Sequence, residues 1–126
     1  MEVQEHHEDI IGGISNQLKE IMDKSDQAIY IYLDDAHKVC NQKHATMLGY
    51  SSPEEWARTT DLTSAGVAEK SQKAVVEAYQ RTMDKMAGSS LKITLKQKSG
   101  KTINTNMIMV PIAYQGHKLA MHFIQP

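Results

Sequence analysis

The side chains of this sequence that could do chemistry are six histidines, one cysteine and two adjacent aspartates. His6 and His7, flanked by Glu5 and Glu8, carry ligand types that could hold a metal ion loosely. They lack the His-Glu-x-x-His spacing that sets two imidazoles on one helix face, and no second cluster of ligands converges on them. A solvated terminus is the expectation, with no metal site. Asp34 and Asp35 are neighbours in a tight turn, so their carboxylates point apart. They read as turn caps that accept backbone hydrogen bonds, not as an acid–base pair. Cys40 is the only thiol, which excludes an internal disulfide and a cysteine-rich zinc site. It reads as a small buried hydrophobe. No Gly-x-Ser-x-Gly, Walker or Gly-x-Gly-x-x-Gly pattern is present, and Gly12-Gly13 lies inside a helical pattern, not after a strand. Catalysis is not expected.

The eight methionines are unusual beside a single phenylalanine. Met83 and Met86 fall on one face of a helical pattern with Tyr79. Met107 and Met109 share one face of a strand, and Met47 and Met121 could join them. Flexible, polarisable thioethers suit the wall of a pocket for a small apolar ligand. Plain core filling is the competing reading and the favoured one. Asn41 stands where a helix begins, so it reads first as an N-cap tying strand to helix. A ligand contact would be its second role.

The elements that must position these residues follow from spacing. Residues 8–24 form an amphipathic helix, in which Ile11, Ile14, Leu18 and Ile21 recur at 3-4-3 intervals and Ile10 and Met22 widen the stripe. Gly12 and Gly13 interrupt it, each weakening a helix by about 1 kcal/mol relative to alanine. Residues 27–33 (QAIYIYL) are β-branched and aromatic and read as a buried strand. A polar turn and a short returning strand, 38–40, follow. A helix then runs from Asn41 to Leu48 and ends at Gly49. Ser52-Pro53-Glu54-Glu55 starts another, with serine as cap, proline at the first helical position and glutamate reaching back. Residues 71–86 form the longest helix, with Val75, Val76, Tyr79, Met83 and Met86 on one face and Gly88 as its end. Leu91, Ile93 and Leu95 alternate with polar residues in a strand. A turn at 98–101, a strand over 102–112, a turn at 114–117 and a strand over 119–124 complete the pattern. The order predicts an α+β domain, one antiparallel sheet with helices across one face.

A chain of 126 residues makes one compact domain. Fourteen basic side chains against fifteen acidic ones leave a net charge of −1, which argues against nucleic-acid binding. No apolar run is long enough to span a bilayer, and the polar, acidic start MEVQEHHED is neither a signal peptide nor a membrane anchor. A cytoplasmic, reducing location is the expectation.

The stretch YIYLDDAHKVCNQKHATMLGYSSPEEW resembles the PAS family: strand, acidic turn, strand, asparagine, a short helix ending in Leu48-Gly49-Tyr50, and the Ser52-Pro53 helix start. LKQKSGKTINTNMIMVPIAYQGHKLAMHFIQ resembles the closing strands of that family. The resemblance implies a five-stranded antiparallel sheet cupping several helices over residues 25–126, with residues 1–24 as a separate N-terminal helix. It implies a sensor domain that binds a small molecule between sheet and helices, or that mediates dimerisation, and signals to a downstream partner. A ligand-free dimerisation or docking module is the alternative. Candidate ligand contacts are Asn41, His44, Met47, Tyr79, Met83, Met107, Met109 and Met121. Ile11, Ile14, Leu18 and Ile21 are the candidate homodimer contacts, because PAS domains resemble one another in pairing through this helix.

No cofactor is assigned. Haem-binding relatives resemble one another in a histidine on the long helix, which here has none; His44 and His122 lie elsewhere. Photoactive flavin relatives resemble one another in a helical Asn-Cys motif, whereas Cys40-Asn41 has the reverse order. Both cofactors are disfavoured. No kinase, cyclase or DNA-binding segment follows the domain, so the reading is an excised domain or a free-standing protein signalling through a partner.

Overall fold

The computed structural model describes residues 2–126, with side chains from His6 onward. Five strands, β1 (Ala28–Asp34), β2 (His37–Cys40), β3 (Ser89–Lys96), β4 (Thr102–Tyr114) and β5 (His117–Gln125), form one sheet in the order β2-β1-β5-β4-β3, every neighbouring pair antiparallel. Between β2 and β3 the chain makes α3 (Gln42–Met47), α4 (Pro53–Ala57), α5 (Leu62–Gly66) and α6 (Glu69–Lys85). Ahead of the sheet stand α1 (Glu2–Gln17) and α2 (Lys19–Lys24). This is the expected α+β architecture.

The sheet is apolar on both faces, which explains the unbroken run in β1. Tyr30 joins Trp56, Leu48, Ala78, Met107, Met109 and Ile124 in the core beneath the helices. Ile29 and Ile31, one residue out of phase, join Leu119 and Met121 in a second core on the opposite face. Ile10, Ile11, Ile14 and Met22 cover that second core. The N-terminal stripe is therefore spent on its own sheet. Ile11 and Ile14 are buried by the same chain, Leu18 is partly buried, and only Ile21, at 55% exposure, faces solvent. Of the expected homodimer contacts, Ile11, Ile14 and Leu18 thus pack on the sheet of their own chain. Met121 is corrected, because it faces this helix and not the crevice under α6. Ile10 has no exposed surface at all. Ile10→Ala is expected to lower stability by about 2–4 kcal/mol, read as a lower urea midpoint, and a change below about 0.5 kcal/mol would mean the helix does not seal the sheet.

The paired glycines do not break the helix. The break falls at Leu18 (φ −101°, ψ 9°), where the amide still donates to Ile14 O at 3.0 Å. Gly13 instead permits close approach: a Cβ there would stand 2.5 Å from the Tyr114 hydroxyl. The long helix also differs from expectation. It starts at Glu69 and ends at Lys85, and Met86, with a φ of +49°, is its left-handed cap in place of Gly88. Met86 and Val76 are exposed, and Ser71, Ala78 and Thr82 are the buried positions. Small residues lie where the helix axis comes nearest the sheet, so hydrophobic size alone misplaced the contact line. Val75, Tyr79 and Met83 flank it, partly buried.

Two hairpin ends matter below. Gln115 (φ +47°) and Gly116 (φ +80°) make a two-residue turn with both residues left-handed, so β4 and β5 run further than expected and pair as far as Tyr114 with His117. At the other end, Asp34 pairs with His37 across Asp35-Ala36, and Asp34 Oδ1 accepts from the Ala36 amide at 3.0 Å. The outer edge of β3 is met by the start of α6. The Ala68 amide donates to Thr94 O (3.0 Å), and Ser71 Oγ accepts from the Thr94 amide (2.9 Å).

Candidate functional site

The crevice between sheet and helices holds a cluster of rings. Tyr30 stacks on His122 with centroids 3.9 Å apart and planes 8° from parallel, a consequence of their pairing across β1 and β5. His44, from α3, lies 4.9 Å from Tyr30 and meets the Trp56 ring edge-on at 5.0 Å. Both histidines are almost wholly buried, and the Nδ1 atom of each has no hydrogen-bond partner among the described residues. Burial pushes the pKa of each down to about 3, and at His44 the repulsion that a protonated His122 would exert adds to the effect. Both rings are therefore neutral at physiological pH.

Beside His122 a cavity of about 280 Å³ opens between α5, α6 and the sheet. Tyr30, Tyr32, Leu62, Val75, Tyr79 and Met109 are among its walls. The phenols are donors throughout the physiological range. Burial raises the pKa of Tyr30, Tyr32 and Tyr79, with Asp35 adding to the rise at Tyr32. Asp35 also places the lip of the cavity, since its Oδ1 accepts from the Tyr32 hydroxyl and the Leu62 amide, both at 3.2 Å. Asp34 and Asp35 thus serve as turn and loop caps, as their sequence context implied.

Of the expected ligand contacts, Tyr79 and Met109 line this cavity. Met107 is fully buried and Met83 partly buried in the adjoining core, and His44 packs behind Tyr30 and Trp56. Met47 lies at the far end of the sheet, beside Ala28 and Ile124. Tyr30, Tyr32, Leu62, Val75 and His122 were missed. The Tyr-x-Tyr alternation of β1 was the available signal, because it sets both phenols on the helix side.

Asn41 is a knot in the backbone. Its Oδ1 accepts from the amides of Ile29 (3.1 Å) and His44 (3.0 Å), and its Nδ2 donates to Met22 O (3.0 Å) and Gln27 O (2.9 Å). That uses both amide hydrogens and both lone pairs. A hollow of about 300 Å³ opens beside it, but the amide has nothing left to offer a ligand. Lys38 is similarly committed. It is buried over the Trp56 ring, 5.7 Å from the centroid, and donates to the carbonyls of Asp35 and Thr59.

The overall fold recurs in solved structures that cover most of the chain. A PAS domain from a two-component sensor histidine kinase superposes with a TM-score of 0.67 at 14% identity, covering 90% of this chain and 97% of that one. The PAS domain of a protein from Colwellia psychrerythraea gives 0.70 at 16% identity, covering 89% and 95%. The chain has a PAS fold. A PAS domain from Desulfitobacterium hafniense gives 0.62 at 20% identity, covering 84% of this chain and 97% of that one. No family model and no curated protein matches the sequence. Among the described residues of this PAS fold, no helix is long and apolar enough to cross a membrane.

A second constellation lies at the opposite end of the N-terminal helix from α2. His7 Nδ1 and His37 Nδ1 each stand 2.7 Å from an oxygen of Asp34. Burial alone would raise the Asp34 pKa, but the hydrogen bonds with the two imidazoles outweigh it and leave the pKa low. His117, at the β4–β5 turn, lies 5.2 Å from the His7 ring and 4.7 Å from the His6 ring. Of the expected solvated pair, His6 is exposed, whereas His7 is drawn against two hairpin ends.

Proposed function

We propose that this PAS-fold domain is a non-catalytic sensory module whose crevice takes a small, mainly apolar molecule with one polar group, and that occupancy is relayed to a partner protein. The cavity beside His122 carries the reading. Its walls are aromatic and aliphatic, with the phenols of Tyr30, Tyr32 and Tyr79 and the neutral imidazole of His122 among them. A few polar groups set in an apolar wall fix the orientation of an occupant. Solved neighbours drawn from signalling proteins, such as the sensor histidine kinase, support the sensory assignment. At about 280 Å³ the space suits a compact ligand. The well-filled core around Met83 and Met107 supports a second reading, a docking module that needs no ligand.

Native mass spectrometry of the untagged protein, set against its denatured mass, separates the two. The sensory reading predicts additional non-covalent mass on the wild type, lost in Val75→Trp, whose indole would fill the cavity. Circular dichroism confirms that the variant folds. A folded variant that keeps the extra mass would place the ligand elsewhere. A clean wild-type spectrum, with no mass regained after incubation in cell extract, would favour the docking module. The same spectrum reports oligomeric state. A dimer would have to form around the buried Ile11 and Ile14, or with the helix lifted from the sheet.

A further inference from the structure

We propose that His7, Asp34, His37 and His117 form a binding site for a divalent transition metal of the zinc class, which clamps the N-terminal helix to the β1–β2 and β4–β5 hairpin ends. Three stretches of sequence, remote from one another, meet here and bring four of the chain's six histidines together, His6 included. One ligand atom from each of His7, Asp34 and His37 lies within 4.8 Å of the others, and His117, outside that group but with its ring 5.2 Å from the His7 ring, swings in to complete the set.

The ring geometry matches a metal site. With metal–nitrogen bonds of about 2.0–2.1 Å, an imidazole centroid sits about 3.2 Å from the ion, so two rings in tetrahedral positions have centroids about 5 Å apart. The His7–His37 and His7–His117 separations are 5.5 and 5.2 Å, and both pairs are nearly perpendicular, at 86° and 88°. A metal bound between Nδ1 and carboxylate needs those contacts to open from 2.7 Å to about 3.3 Å, the edge of such a tetrahedron. Metal binding displaces the proton on each Nδ1: a neutral ring gives that proton up and takes one from solvent at Nε2, whereas a charged ring releases its Nδ1 proton to solvent and keeps the one on Nε2.

Imidazole nitrogen with a single carboxylate selects the borderline metals, zinc, nickel, cobalt or copper, over calcium or magnesium. The donors have the necessary support. His37 is only 7% exposed and is fixed by the turn in which Asp34 also caps Ala36, so two of the ligands are set before the helix arrives. His7 is the donor that couples occupancy to the helix. The metal would hold down the cover of the second core, apart from any ligand in the crevice.

The test uses the full chain after treatment with a chelator, titrated with zinc by calorimetry and with cobalt by visible absorption. One equivalent of zinc, a melting temperature that rises with zinc concentration, and tetrahedral cobalt bands are expected. His117→Gln and His37→Gln should each weaken zinc binding by about tenfold or more. Hydrogen exchange in α1 should slow when zinc is added. Absence of one-equivalent binding would overturn the proposal. So would binding that His6→Gln abolishes while His37→Gln and His117→Gln leave it intact, since that places the metal on the terminal His-His pair alone. If His37→Gln fails to fold, the partly exposed His117 and the cobalt spectrum still decide.

Discussion

Lowering the pH from about 7 to about 4 is expected to destabilise the domain by several kcal/mol, chiefly through His44 and His122. Both have a pKa near 3 when folded, against an ordinary value of 6.5. Between those values the unfolded chain binds protons that the folded chain refuses, so stability falls as pH falls. The contribution is complete above about pH 6.5 and is lost progressively toward pH 3. Each group contributes a slope of about 1.4 kcal/mol per pH unit, so the pair removes about 5 kcal/mol across two units. A domain of this size has only about 5–15 kcal/mol in total. Urea melts at stepped pH should therefore show a slope approaching two protons. His122→Phe, which keeps a ring to stack on Tyr30, should roughly halve it. A profile that is flat between pH 6 and 4 would mean that the rings reach water or a partner in solution.

Asn41→Ala should be among the most damaging single substitutions in the chain, lowering stability by about 3–5 kcal/mol. The methyl group leaves two amides and two carbonyls without partners, and each buried orphan costs about 1–3 kcal/mol, relieved in part by water entering the gap. The damage should reach three elements: α3 loses its N-cap at His44, β1 loses its bond at Ile29, and α2 loses the tether at Met22 O. Asn41→Asp tests the donor half separately. It keeps the acceptor but cannot donate to Met22 and Gln27, and it buries a charge. A loss below about 1 kcal/mol for the alanine variant would show that the knot carries little of the stability.

The fold was readable because its elements announce themselves locally. Leu91, Ile93 and Leu95 alternate in β3, and Ser52 caps α4 through its bond from the Glu55 amide. Even there a detail shifted: the Glu55 carboxylate reaches back to Ser51, one residue earlier than the expected partner. The crevice was readable in part. Tyr79 and Met109 announced themselves by face, but His122 sits in a strand whose two faces are both buried, so periodicity could not say which side it served. Met121 was assigned to the wrong face for the same reason. The histidine cluster was out of reach. His7, Asp34, His37 and His117 have no common spacing, and only the packing of a helix across two hairpin ends brings them together.

The two hydrogen bonds that Ala68 and Ser71 make to Thr94 have a consequence beyond the fold. A five-stranded sheet has two rims, and a free rim is a template on which another extended chain can add itself. Here the middle of β3 is already occupied by the protein's own backbone and hydroxyl, and Lys92 and Lys96 flank the spot with positive charge. The opposite rim, β2, is only four residues long. The domain should therefore resist growth into fibrils through strand addition, and any assembly it forms should engage surfaces other than the rims of its sheet.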